Sequence, residues 1–596
     1  MRIENIITGA VSRFFHERSL PEPDQSLIQL QKTRKEFKGN ITLVVFPLVR
    51  LIKKSPPETA EELGTYLKKL PEIKDFNVVK GFLNLEVESS YWTRFIQEYA
   101  FNPDYGTQSR AVPAETVLVE YSSPNTNKPL HLGHIRNNLL GYSISRILEA
   151  NGKSVKKVNL VNDRGIHICK TMLAWEKWGD NKTPAETGVK GDHFVGDMYV
   201  KFENAYRKEI EGLVSKGVPE DQARREAPLI REAQTMLKKW EEGDEQVNAL
   251  WKMMNSWVYA GFDVTYEKLG VSFDKIYYES ETYHTGKSIV EEGVKKSVLI
   301  RKDDGSVWAD LTHRGLDEKL LLRSDGTSVY ITQDLGTAVL RQKDYDADKM
   351  FYVVGNEQDY HFKVLSLILD ELGYEWAGSL QHISYGMVEL PSGKMKSREG
   401  KVVDADNLID EMIDTAGTLS SELGKLEGLT EKEKKNIINI IGMGALKYFI
   451  LKVDPQKNMI FNPEESIDFN GNTGPFIQYT HARVCSLLKK SELHGIKPGN
   501  ADISDVSLSP KEVRVAALLH EFPAVLEEAG RNCSPALIAN LIYELAREYN
   551  QFYHDHPVIK ESNIALRDFR LLLTMLTGNV IKKGMGLLGI DVPERM

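Results

Sequence analysis

The most constraining stretch of this 596-residue chain is residues 117–141. A β-branched run, Val117-Leu-Val-Glu-Tyr121, passes through a loop containing Pro124 and Pro129 into a helix that carries His131, Gly133 and His134 in its first turn. Residues 155–161 form a second β-branched run, and residues 350–354 lead directly into a helix reaching Leu372. Strands alternating with helices in this way predict a parallel sheet with right-handed crossovers. At the start of the first helix, free backbone N–H groups and the positive end of the helix dipole favour a phosphate. His131 and His134, three apart, can project from one side of the first turn. Two imidazoles beside bound phosphates can donate hydrogen bonds to a pentavalent phosphorus, which is stabilisation and not nucleophilic attack. Gly133, lacking a Cβ, lets a flat ring such as adenine approach the backbone. A capped structural helix with two surface histidines is the alternative reading of the same residues.

The rest of the chain divides around this unit. Residues 1–105 read as an α+β domain, with a helix over 3–16, a second amphipathic stretch over 57–69 and a strand over 77–87; Pro103 and Gly106 punctuate a linker. Residues 106–403 form the core, interrupted by a charged helical insertion at about 191–269 and by a hairpin region with turn dipeptides Asp304-Gly305 and Asp325-Gly326. After Asp404 the strands stop, leaving a helical connector over 404–469 and an all-α bundle over 470–596. The predicted class is α/β: a Rossmann-like parallel-sheet core between an α+β N-terminal domain and an all-α C-terminal helix bundle.

Composition excludes several function classes. With 41% hydrophobic and 27% charged residues, and no apolar run near the ~18–20 residues of a membrane span, no membrane association is expected. Three scattered cysteines, Cys169, Cys485 and Cys533, provide neither zinc spacing nor a disulfide framework, which points to a reducing, cytoplasmic setting. The net charge of −9 argues against a protein that coats nucleic acid nonspecifically.

The string from Glu120 to Gly141 resembles the HIGH signature of class I aminoacyl-tRNA synthetases. Its Ser123-Pro-Asn125 triplet ahead of the histidines is similar to the arginyl family in particular. Three further segments match in order: Ser324-Asp-Gly-Thr-Ser-Val-Tyr-Ile-Thr-Gln-Asp334, Tyr352-Val-Val-Gly-Asn-Glu-Gln-Asp-Tyr-His361 and Gly471-Asn-Thr-Gly-Pro-Phe-Ile-Gln-Tyr-Thr-His-Ala-Arg483. Gly39-Asn40 and Gly81-Phe-Leu-Asn84 resemble the family's additional tRNA-binding domain more weakly. The resemblance implies an enzyme that forms arginyl adenylate from L-arginine and ATP, then transfers the arginyl group to the terminal adenosine of tRNA(Arg). It implies Mg2+ carried with ATP, no zinc, a monomer, and an anticodon-binding role for residues 470–596. A class I synthetase for another amino acid and a noncatalytic RNA-binding paralogue are the alternatives.

By the same resemblance, Tyr330 and Asp334 hold the guanidinium, while Glu120, Asn125 and Gln358 engage the backbone end of arginine. A guanidinium is best held by a carboxylate accepting two parallel hydrogen bonds; taken alone, Asp334 reads equally as a helix N-cap. Residues 390–400 resemble the second class I signature loop with one lysine displaced: Lys394, Lys396 and Arg398 supply charge around Ser397, and Lys128 compensates. The catalytic set is therefore His131, His134, Lys128, Lys394 and Lys396, and the ATP-binding set His131, Gly133, His134, Lys396 and Ser397. A solvated charged turn is the other reading of the loop. The segment from Asn162 to Cys169 matches only partly, because His167 stands where the family often has Gln, and it is left outside the catalytic set. Cys169 is expected to be a buried small residue. Tyr479, Phe552 and Tyr553 are candidate base-stacking platforms, or core.

Overall fold

Residues 116–120, two of whose five are valine, form the centre of a five-stranded sheet in which every neighbour is parallel. The computed structural model describes residues 2–34, 36–389, 391, 403–424 and 428–596. Lys394, Lys396, Ser397 and Arg398 of the expected signature loop lie outside the described residues. The sheet runs Leu380–Tyr385, Lys349–Gly355, Thr116–Glu120, Ser154–Val161, Lys275–Tyr278 from edge to edge. The chain therefore starts at the centre, builds outward on one side and returns to build the other. That reversal opens a crevice outside the carboxyl ends of Thr116–Glu120 and Lys349–Gly355, where open α/β sheets bind ligands. Helix Leu132–Ala150 makes the first crossover.

The N-terminal residues fold as helices Ile3–Glu17 and Pro56–Leu67 on an antiparallel sheet. The single strand expected over 77–87 is instead the tip and return of a hairpin, Ile73–Val79 with Phe82–Val87. Lys80 and Gly81 both have positive φ, 50° and 82°, and the two-residue turn matches the twist of the flanking strands.

Four helices, Gly191–Val214, Glu220–Glu226, Pro228–Glu241 and Glu245–Leu269, stand between the second and third strands of the parallel sheet in chain order. A three-stranded antiparallel sheet, Ile300–Arg301, Val307–Ala309 and Lys319–Leu322, precedes helix Tyr330–Tyr345. Beyond Asp404 the chain is helical with one exception that corrects the sequence reading. Met459–Ile460 pairs in parallel with Val388–Glu389, a ladder too short to leave a periodic signal. Helices Gly474–Leu493, Pro510–Arg531, Pro535–Asp555 and Ile564–Leu587 make the C-terminal bundle. It meets the N-terminal unit through Tyr91, whose hydroxyl lies 2.9 Å from His520 Nε2. Among the described residues, no helix is long and apolar enough to cross a membrane.

Candidate active site

A cavity of about 1050 Å³ lies outside the carboxyl ends of Thr116–Glu120, Ser154–Val161 and Lys275–Tyr278, on the other side of the central strand from Lys349–Gly355. Asn125, Lys128 and His131 line one wall, Arg164 and His167 another, and Glu279, Tyr330 and Gln333 a third, with His193 contributed by the helical insertion.

The loop into the first wall is held in a costly conformation. Ser122 and Ser123 have φ of 82° and 46°, left-handed values that non-glycine residues rarely adopt. Their amides donate to side chains that fix them there: Ser122 N to Asn137 Oδ1, and Ser123 N to Asn159 Oδ1 at 3.0 Å. From this bend the chain reaches Asn125, which bridges Asn162 on the neighbouring strand's extension.

His131 is the N-cap of helix Leu132–Ala150, and the two histidines cap it reciprocally. Gly133 N donates to His131 Nδ1 at 3.1 Å, and His131 N donates to His134 Nδ1 at 3.1 Å, with ring centroids 3.9 Å apart. Because both Nδ1 atoms accept, each neutral ring carries its proton on Nε2 and can donate there. Burial, then the nearby charge of Lys128, pushes the His131 pKa down to about 4. Burial, then His131 and Lys128, hold the His134 pKa well below the usual imidazole range. Both rings are uncharged donors at neutral pH. Gly133 has a structural reason of its own: a Cβ there would lie 3.0 Å from His131 Cε1 and 3.1 Å from Nδ1. The glycine makes room for the capping imidazole, and neither Gly133 nor His134 lines the cavity.

The residues expected to hold the amino acid are placed unevenly. Val329 is the N-cap of helix Tyr330–Tyr345, so Asp334 sits inside the helix and the capping alternative is excluded. Tyr330 stands at the cavity rim, 79% exposed, and Asp334, one turn on, has Oδ2 2.6 Å from His361 Nε2. Glu120 does not line the cavity. Its buried carboxylate pairs with Arg341 and accepts from Ser123 Oγ at 2.8 Å, while Arg341 is flanked by the rings of Tyr277 and Tyr352. Gln358 is exposed and N-caps helix Asp359–Glu371, at the carboxyl end of strand Lys349–Gly355 but off the cavity wall.

Sequence reasoning missed Glu279. It opens the helix that follows strand Lys275–Tyr278, a carboxylate at a strand's carboxyl end, which is the signal that could have found it. Its helix and Tyr330–Tyr345 cross so closely at Gly286 that a Cβ there would meet Thr332 O at 1.8 Å. The crossing sets Glu279 in the cavity wall and within electrostatic reach of Asp334, which itself does not line the cavity. Burial pushes its pKa up to about 7; Arg164 opposes this, and Asp163 and Asp334 add to it. Asp163, 1% exposed, accepts from Ser280 N, Ser280 Oγ and Tyr259 OH at 2.9, 2.7 and 2.9 Å, tying the Asn162–Cys169 segment to the insertion. His167, also on that segment, has Nδ1 3.1 Å from Tyr199 OH. Cys169 is buried as expected, its thiol pushed up to about 12 by burial.

In the C-terminal bundle Phe552 is fully buried and belongs to the core. Tyr553 is 36% exposed, and Arg483 lies between it and Tyr479, 5.3 and 5.0 Å from the two ring centroids.

Comparison with known proteins matches three family models in succession. Arginyl tRNA synthetase N terminal domain covers residues 1–87; tRNA synthetases class I (R), catalytic domain, covers 100–463; DALR anticodon binding domain covers 477–596. The chain is 57% identical to the arginine–tRNA ligase of Parabacteroides distasonis and 56% identical to that of Bacteroides thetaiotaomicron, with 100% of each chain covered in both cases. In fold it is similar to Thermus thermophilus arginyl-tRNA synthetase, with a TM-score of 0.79 at 24% identity and 100% of both chains covered. It is similar also to the Plasmodium falciparum enzyme, with a TM-score of 0.74 at 18% identity over 100% of this chain and 98% of that one.

Proposed function

We propose a residue-by-residue account of the site from one premise: the chain belongs to the arginyl-tRNA synthetases, and it ligates L-arginine to tRNA(Arg) through an ATP-dependent adenylate. Membership of that family sets aside the two alternatives, a synthetase for another amino acid and a noncatalytic paralogue. The observation that carries the account is the opposition, across one cavity, of the neutral His131 imidazole at a helix N-terminus, buttressed by His134, and the Glu279 carboxylate.

On the carboxylate side, Asp334 and Glu279 receive the guanidinium and Tyr330 covers it. Asn125 and Gln358 meet the α-amino and carboxylate end, and Glu120 acts beneath them through Ser123. On the other side ATP lies with its α-phosphate at the start of helix Leu132–Ala150. His131 and His134 donate from Nε2 to the phosphorus oxygens as charge develops, while Lys128, Lys394 and Lys396 neutralise the departing pyrophosphate and Ser397 supports the nucleotide. No covalent enzyme intermediate is involved. The arginine carboxylate attacks the α-phosphate and pyrophosphate leaves; the ribose hydroxyl of the terminal adenosine then attacks the carbonyl of the adenylate, the acyl–phosphate bond breaks, and AMP departs as the arginyl ester forms. Mg2+ belongs with the nucleotide. Asp192, His193 and Asp406 are the described residues closest to a metal-binding group, and the Lys190 ammonium already lies 2.6 Å from Asp406. The three free cysteines suit a reducing cytoplasm, and the chain is taken to act as a monomer.

Charging total tRNA with each of the twenty amino acids in turn tests the substrate assignment. Arginine alone should be transferred, and incorporation of any other amino acid at a comparable rate would overturn it.

Glu279 carries a prediction of its own. With its pKa at about 7, the carboxyl is protonated below that pH and ionised above it, and only the ionised form accepts both guanidinium hydrogens. Arginine affinity should therefore strengthen by about tenfold as pH rises from 6 to 8, with uptake of arginine releasing a proton at the low end. Titration calorimetry in two buffers of different ionisation enthalpy reads both quantities. Glu279→Gln should bind weakly with a flat profile; a flat profile in the unaltered enzyme would remove Glu279 from the pocket.

A further inference from the structure

One charged cluster outside the substrate-contacting groups joins the helical insertion to the core. Lys190 is the N-cap of helix Gly191–Val214, and His193 lies in its first turn. His193 Nε2 is 3.3 Å from Asp404 Oδ2 and 3.2 Å from Asp406 Oδ2. Lys190 Nζ donates to Asp406 Oδ2 at 2.6 Å, to Thr265 Oγ1 at 2.6 Å and to Asp192 Oδ2 at 3.1 Å. From the last helix of the insertion, Lys268 Nζ adds contacts to Asp410 Oδ1 at 3.0 Å and Asp406 Oδ1 at 3.4 Å. A lysine already occupies the centre of the carboxylates, so the cluster is a fastening and not an open cation site.

What it fastens is informative. Asp404 caps helix Ala405–Glu422 with Oδ1, leaving Oδ2 for His193. Its backbone pairs with His131: Leu132 N donates to Val403 O and Ala405 N to Leu130 O, each at 3.0 Å. In sequence Asp404 lies eight residues after Lys396. The same insertion helix presses on the loop before His131, where a Cβ on Gly196 would stand 2.8 Å from Pro129 Cδ. One helix thus grips both the Lys128–His131 loop and the chain that returns from the signature segment.

We propose that His193 is a positioning residue for adenylate formation, clamping Asp404 and through it the His131 cap at the α-phosphate. The proposal rests on the ligase reading above. Hydrogen bonding to Asp406 and the charge of Asp404 raise the His193 pKa against the effect of burial. Burial opposes the charge on Asp406, yet His193 and Lys190 hold its carboxyl far below the usual range. The clamp is a charge-assisted one, and its loss would let the Lys128–His131 loop drift by fractions of an ångström.

The test compares His193→Ala, His193→Gln and Asp404→Asn in the full-length enzyme, with tRNA charging by the unaltered enzyme as the control on the ligase reading itself. In single-turnover adenylate formation His193→Ala should lose about tenfold to hundredfold in rate, the scale of a small misplacement of reacting groups, with the arginine KM within about twofold. His193→Gln, which keeps an N–H donor near the Nε2 position, should recover most of the rate. The double variant with Asp404→Asn should be no slower than the slower single one. A wild-type rate in His193→Ala would overturn the proposal, as would additive losses in the double variant. A fall in rate that tracks the folded fraction by circular dichroism, with no rescue by Gln, would overturn it as well.

Discussion

Asp334→Asn should lower kcat/KM for arginine by about 10²–10³ and leave the KM for ATP within about threefold. The size follows from what the substitution leaves behind. Removing one partner of a desolvated, hydrogen-bonded charge pair costs about 3–5 kcal/mol, because the guanidinium is left facing an amide that donates as well as accepts. Glu279 alone cannot restore the balance, since burial already favours its protonated form near neutral pH. His361 meanwhile loses the carboxylate that its Nε2 reaches at 2.6 Å, which loosens the ring against Phe362 but does not touch the nucleotide side. ATP–pyrophosphate exchange in the presence of tRNA, with arginine and ATP varied separately, reads the split. Lysine, a point charge without the planar fork, should remain a poor substrate in both proteins. Arginine kinetics close to those of the unaltered enzyme would move the guanidinium to another carboxylate.

The second large effect belongs to His134. Its replacement by Ala should slow adenylate formation by about 10²–10³, the loss typical of one preorganised donor, with arginine dissociation changed by no more than about twofold. This side chain has two duties that must be separated. Its Nδ1 accepts from His131 N at 3.1 Å, so Ala also removes half of the reciprocal cap, worth about 1 kcal/mol of helix stability. His134→Asn can keep an acceptor near the Nδ1 position but offers nothing at Nε2. If the donor is what matters, Asn should be nearly as slow as Ala while melting close to the unaltered protein. If Asn instead restores the rate, His134 contributes only as a cap and the phosphorus is stabilised by other groups.

How far these residues could be read in advance depended on how far apart their determinants lie along the chain. The Thr116–Glu120 strand, the bend through Ser122 and Ser123 and the helix from Leu132 are encoded within about thirty residues, and their β-branched run, prolines and first-turn histidines announced both the parallel sheet and the phosphate-facing helix start. Tyr330 and Asp334 were likewise legible as neighbours, one helical turn apart. Local signals failed where they were too brief or too symmetrical. The Lys80-Gly81 turn looked like strand because it interrupts β-branched residues for only two positions, and Met459–Ile460 is shorter than any period that could reveal it.

The surroundings of individual side chains were set by partners that no local pattern names. Glu120 pairs with Arg341, 221 positions later, in the sheet interior. A Cβ at Gly133 would crowd the His131 ring, a need for glycine that the sequence did not announce. Glu279 reached the cavity wall and the field of Asp334 only because two helices cross at Gly286, and His193 met Asp404 only because the insertion folds back over the core. Hydrophobic period, turn geometry and helix capping act over a few residues, so the sequence states them directly. Ionisation, occupancy of a cleft and the choice of partner depend on burial and on distances between segments, and these exist only once the strands are ordered and the helices packed.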